Sequence, residues 1–314
     1  MPSIYKKSFS SFFGNKLKNF FQLLLCHSLV LRQFYSAKIN NGAALRSFTK
    51  FICILFFSIF LTSCEKVIKV DLNTAEKKYV IEAVITDQPN SCKVLLSQSK
   101  NFDEDNTFNG ISGAQITITD NNGSAITLPE TSQGVYQPIA LTGISGHTYN
   151  LTVNVDGKTF TATSTMPALV PFDSLYITER TFFDETNKYA TLSYKDPIGK
   201  GNAYRYIQYV NGVQEKTIFV RDDDLTDGRA IQRNLIYYNN DDDDDEGKLK
   251  KGDTVKVDML CISYPVYQYW YSLSESSTGD SQSATPGNPI YNIQGGALGY
   301  FSAHTIQSKT LIVP

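Results

Sequence analysis

The sequence predicts an all-β protein built as two tandem β-sandwich domains, with a short helix inserted in the second. Three observations carry that expectation. Tyr149, Leu151, Val153 and Val155 alternate with Thr148, Asn150, Thr152 and Asn154, the period of two expected of a strand with one buried face. Asp120-Asn121-Asn122-Gly123, Asp156-Gly157 and Asn211-Gly212 stand between apolar runs as hairpin turns, with Asn, Asp and Gly supplying the positive φ angles. About seven short strands, with turns at intervals of roughly eight to twelve residues, fill the first of the two halves.

In chain order, the first feature is a leader. Residues 51–61 form an apolar run broken only by Ser58 and preceded by Arg46 and Lys50. The run is long enough for the hydrophobic region of a signal peptide and too short to cross a bilayer as a helix. Leu61-Thr62-Ser63-Cys64 follows and resembles the lipobox of bacterial lipoproteins: a branched apolar residue, two small ones, and a cysteine that is acylated and becomes the new N-terminus. The alternative is a buried core helix with Cys64 as an ordinary thiol, and charge argues against it. Eight basic residues and no acid precede Cys64, which leaves 21 basic and 31 acidic residues after it and a mature net charge of −10. A second patch, residues 20–26, ends in Leu25-Cys26, and Leu25 is too bulky for the position signal peptidase reads. Residues 1–44 admit two accounts, a translation start at a non-Met codon near residues 43–46 or a long leader. Residues 45–63 are the signal peptide, and residues 1–63 take no part in the fold.

The mature chain divides at the proline-bracketed link 167–171, giving domains 64–168 and 169–314. In the first, strands are expected over residues 79–86, 92–96, 114–119, 147–155 and 158–165. In the second they are expected over 172–177, 189–194, 203–210, 214–220 and 254–262. A helix is expected over residues 264–273, with Pro265 in its first turn and Val266, Tyr267, Trp270 and Tyr271 recurring at helical spacing. Cys92 and Cys261 lie far apart in strand-like surroundings and read as small buried hydrophobes rather than as a disulfide.

A resemblance rests on residues 64–72 leading into 79–86, on Gly134-Val135-Tyr136 and Ser164-Thr165-Met166-Pro167, and on Asn288-Pro289 with residues 292–301. Together these resemble a family of Bacteroidota outer-membrane lipoproteins defined by a domain of unknown function, number 4249. The resemblance covers the mature chain and carries no catalytic residues. It implies an immunoglobulin-like or fibronectin-like first half, a place in the cell envelope, and association with a TonB-dependent outer-membrane receptor.

Several residues invite a functional reading. Carboxylates crowd residues 222–228 and 241–247, and calcium takes such oxygen ligands on a turn. The first stretch has Leu225 where a ligand should stand. The second supplies Asp242, Asp244 and, further on, Asp253, but lacks flanking helices, and adjacent acids of this kind usually form a solvated loop. Calcium is therefore a candidate ligand only, and no cofactor is expected. Tyr269 and Trp270 form a candidate ligand platform, weighed against packing of the helix on the sandwich, and Tyr269 is the member expected to point outward. The glycines of 295–299 lack the strand, helix and Lys-Ser/Thr of a phosphate loop and read as close packing between strands. His147 and His304 stand in no zinc-type spacing and read as structural or surface residues.

These readings sum to a non-catalytic lipoprotein of the outer membrane, held to the membrane through Cys64 and serving as a binding or accessory subunit of a TonB-dependent receptor. An adhesin or matrix-binding sandwich is the alternative, and a hydrolase is the third class. A mature chain this acidic is not expected to bind nucleic acid, which needs a basic face.

Overall fold

A computed structural model describes residues 76–314 except 102–103, 106, 108, 124, 139, 183–184, 237–247 and 278–287. The expected leader, Cys64, Asp242 and Asp244 lie outside the described residues. The first half contains β1 (Tyr79–Thr86), β2 (Lys93–Gln98), β3 (Gln115–Asp120), β4 (Ala125–Leu128), β5 (Glu130–Ser132), β6 (Val135–Tyr136), β7 (Thr148–Val155) and β8 (Lys158–Thr165). The second contains β9 (Phe172–Phe182), β10 (Glu185–Lys195), β11 (Ala203–Val210), β12 (Val213–Gln214), β13 (Phe219–Asp222), β14 (Ala230–Asn234) and β15 (Thr254–Ile262). The helix α1 (Tyr264–Ser277), β16 (Ile293–Gln294) and β17 (Leu298–Ile312) complete the chain. The expected all-β architecture is observed.

The predicted turns form where the chemistry requires. Asp156 and Gly157 both take positive φ between β7 and β8, and Asn211 and Gly212 do so between β11 and β12. One expected strand is corrected. Residues 214–220 do not run straight, because β12 leaves the sheet after Gln214 and the chain pairs with β11 again only from Phe219.

Three sheets pack into two sandwiches that share a wall. A nine-stranded sheet runs in the order β12-β11-β15-β17-β1-β2-β6-β5, with β13 also on β11. One end faces the five-stranded sheet β16-β8-β7-β3-β4 across a core that includes Ile81, Leu96, Ile118, Leu151, Val153 and Phe301. The other end faces the three-stranded sheet β14-β10-β9 across Leu192, Tyr194, Tyr206, Val257 and Met259. Helix α1 covers part of the reverse side, its Val266 packing with Leu260 and Ile262 of β15. Sheet pairs of this kind bury alternate residues of each strand, which is why the burial of β7 follows its sequence alternation.

At the link 167–171 the chain passes from one core to the other, and β17 returns to both. Its first part pairs parallel with β1 from Leu298 to His304, and its second pairs antiparallel with β15 from Thr305 to Ile312. The link itself is docked: Val170 N–H donates to Cys261 Sγ, and the Gln307 amide bonds the backbone of Val170 and Phe172.

Candidate functional site

The reverse side of the shared sheet, under α1, brings the marked Tyr269 and Trp270 together with Arg205 and Tyr300. Ser263 directly follows β15 and its carbonyl accepts the N–H groups of Val266 and Tyr267, so the helix starts directly after the strand. Val266 is fully buried, and Tyr269 and Trp270 lie on the same helical stripe at i+3 and i+4. They therefore turn toward the sheet. Tyr269 packs on Tyr300 of β17 at 4.9 Å between centroids, and Trp270 meets Tyr300 edge-on at 5.0 Å. The guanidinium of Arg205, from β11, lies 3.3 Å from the Trp270 ring centre. Tyr269, the member expected to point outward, therefore faces the sheet, and the candidate platform gives way to the packing weighed against it. The outward tyrosines are Tyr264 and Tyr271, which stack with Tyr267 at 5.5 and 5.6 Å along the opposite stripe.

Electrostatics here follow from burying one cation. Burial holds the Arg205 guanidinium below its ordinary range, and the Tyr300 hydroxyl bonds it. Burial first, and then the charge of Arg205, push His304 down to about 3, so its imidazole is neutral and pairs with Ser302 Oγ at 2.9 Å. Glu82 stands opposite Tyr300 on β1 at the rim, and desolvation raises its carboxyl. Of the two roles expected for His304, structural or surface, its burial leaves the structural one.

A second grouping was only half legible. Asp223 and Asp227 come from the stretch tested for calcium, and Asp196, from the loop after β10, joins them with carboxylate oxygens within 4.8 Å of one another. Among the described residues these three side chains are the set able to share a metal ion. Their oxygens already accept protein donors. Asp223 takes Gly201 N–H at 3.0 Å and Asn202 N–H at 2.9 Å, Asp227 takes Gly199 N–H at 2.7 Å, and Asp196 takes the Tyr204 hydroxyl and Gly228 N–H. Burial raises the Asp196 carboxyl, with the two neighbouring carboxylates adding to the shift. The chemistry shown is the bracing of two loops, whose tips hold Ile198 at 91% and Leu225 at 85% exposure. Of the calcium candidates, Asp253 also serves a turn, accepting Asn211 Nδ2 at 2.9 Å and Lys250 N–H at 2.7 Å.

The family comparison decides the identity. The model of the family described as domain of unknown function (DUF4249) matches residues 65–310. The chain belongs to the DUF4249 family. No curated protein sequence matches it.

The residues by which the chain resembles DUF4249 build the fold. Ser164 Oγ accepts Ala303 N–H at 2.9 Å and ties the five-stranded sheet to β17, and Met166 is fully buried below it. Tyr136 accepts Ala114 N–H and donates to Ile111 C=O, closing one end of the first sandwich. The Asn292 amide bonds both N–H and C=O of Phe301, standing in for a strand neighbour. Gly299 lets β17 lie against β1, because a Cβ there would stand 2.0 Å from Ile81 O, and one on Gly295 would stand 2.6 Å from Thr159 O. The close packing expected of the glycine cluster is therefore found at two of its positions. His147, just before β7, pairs with Asp120 at the end of β3 at 2.8 Å, and Cys92 and Cys261 are buried free thiols, with burial pushing Cys92 up to about 12.

Proposed function

We propose that this DUF4249 protein is a non-catalytic, lipid-anchored component of the cell envelope in a Bacteroidota outer membrane, acting as a binding or accessory subunit of a TonB-dependent receptor. The observation that carries the reading is the junction at Cys64. A lipobox cysteine ends the basic, acid-free leader, and the family match opens at the next residue, 65. Acylation there gives a two-chain anchor, enough for stable attachment and for a high local concentration beside a membrane partner.

The braced loops favour a contact role. Ile198 and Leu225 are large apolar side chains held outward on loops fixed by the Asp196, Asp223 and Asp227 hydrogen bonds. Apolar groups presented on rigid loops suit a protein surface.

Metabolic labelling with palmitate tests the anchor: the native protein should incorporate label, and Cys64→Ala should lose both label and membrane fractionation. Native protein without label ends the reading. Extraction in mild detergent tests the partner. A receptor should co-purify, and Ile198→Asp with Leu225→Asp should weaken recovery at least tenfold while the anchor is kept. Recovery of the native protein always alone removes the accessory role.

A further inference from the structure

The shared sheet changes width along β17. Strand β1 flanks it from Leu298 to His304, whereas from Thr305 to Ile312 it has β15 on one side and, among the described residues, no strand on the other. The same strand is therefore interior in the first half and an edge in the second.

Hydrogen bonds at the two ends of this stretch fix which way its main chain points. Val313 N–H donates to Asp253 C=O and Val313 C=O accepts Gly252 N–H, both just before β15, while Ile306 N–H donates to the Asp87 carboxylate just after β1. Successive residues of a strand turn their N–H and C=O to opposite sides. The odd-numbered residues thus bond β15, and Ser308, Thr310 and Ile312 turn theirs outward. Among the described residues no backbone group bonds those of these three, and all three are exposed, Ile312 at 69%. Open edges are templates for another strand, and sheets commonly blunt them with proline, a bulge or charge. No proline or bulge interrupts 305–312, and the one charge, Lys309, stands over the Phe172 ring at 5.8 Å.

We infer that this edge pairs antiparallel with the same edge of a second copy of the chain, about a two-fold axis at Thr310. The row is self-complementary in that register. Thr310 meets Thr310 of the second copy and Ser308 meets its Ile312, so three residue pairs exchange two bonds each and every outward N–H and C=O of the three residues is used. Lys309 falls opposite Leu311 of the second copy, and no like charges face each other. Moving the axis to Lys309 sets lysine against lysine, and moving it to Leu311 sets Ser308 against Pro314, which has no N–H to give. A join of five residues buries less than a standard interface, so the association is reversible. The inference does not depend on the lipid anchor or on a receptor.

Cysteine trapping in the full-length protein in detergent tests it. Residues facing each other in a hydrogen-bonded antiparallel pair have Cα atoms about 5.5 Å apart, within the span of a disulfide. Under mild oxidation Thr310→Cys should form a covalent dimer at least tenfold more than Thr161→Cys, at an exposed strand position of the first half. Ser308→Cys and Ile312→Cys should each stay monomeric alone and cross-link when mixed, which separates this register from chance collision. The native Cys92 and Cys261 are buried and give no background. The inference is overturned if Thr310→Cys is trapped no more than Thr161→Cys, if Ser308→Cys dimerises alone as readily as in the mixture, or if Thr310→Cys is trapped only on a different protein.

Discussion

The two sandwiches share one sheet yet are filled differently. Between the shared sheet and the five-stranded one the buried side chains are almost all apolar, with Ser164 in its place by accepting Ala303 N–H. The second half buries Asp196, Asp223, Asp258 and Gln208, and a tyrosine cluster in which the Tyr194 and Tyr206 hydroxyls meet at 2.7 Å. His304 sits on the side of β17 that faces away from the first core. The difference teaches where the protein keeps its pH-sensitive groups. An apolar core is indifferent to protons, whereas buried ionisable groups tie stability to pH.

The strongest attack on the comparison is geometric. Gly299→Ala should unfold the protein, costing about 4 kcal/mol or more, because the new Cβ meets Ile81 O and the residue needs a φ of +103°. A soluble variant with native urea unfolding would show that the parallel β1–β17 pairing is not the seam holding both halves.

The next test concerns protons. The His304 pKa falls from 6.5 unfolded to about 3 folded, so the unfolded chain binds the proton first. Stability is complete above about 6.5 and is lost as pH falls toward 3, by on the order of 4–5 kcal/mol at the bottom of that window. His304→Gln should remove most of this acid sensitivity in urea titrations between pH 4 and 7. Asp196 has the opposite sign: its carboxyl is raised, so its contribution is present at low pH and is lost as pH rises. Asp196→Asn should therefore steepen the acid loss.

A smaller effect probes the first half. Ser164→Ala leaves the buried Ala303 N–H without its acceptor and should cost about 1–3 kcal/mol, with no change in pH dependence. The smallest belongs to the tyrosines. Tyr194→Phe alone strands the Tyr206 hydroxyl, at about 1–2 kcal/mol, while Tyr194→Phe with Tyr206→Phe should come within about 1 kcal/mol of native. A double variant costing the sum of both singles would show that the pair has other buried partners.

Local features of this fold could be read from the chain. The Thr148–Val155 alternation gave β7, the Asp156-Gly157 and Asn211-Gly212 pairs gave their turns, and Pro265 with the spacing after it gave α1, which extends to Ser277. Long-range features could not. Strand β14 carries Gln232, Arg233 and Asn234 on a five-residue edge too short to show a period. Asp196 lies far in sequence from the acidic stretch it joins, and the stripe of Val266, Tyr269 and Trp270 shows an inward face only once the sheet beneath it is known.

The sequence by itself determined the strand content, the turns and the family, because each depends on neighbours along the chain. The tertiary structure alone decided that β17 serves both sandwiches and that Arg205 covers Trp270. Side-chain alternation specifies which face of a strand is buried and leaves open which distant strand lies beside it. That choice is made by packing between residues some two hundred positions apart, such as Ile81 and Gly299.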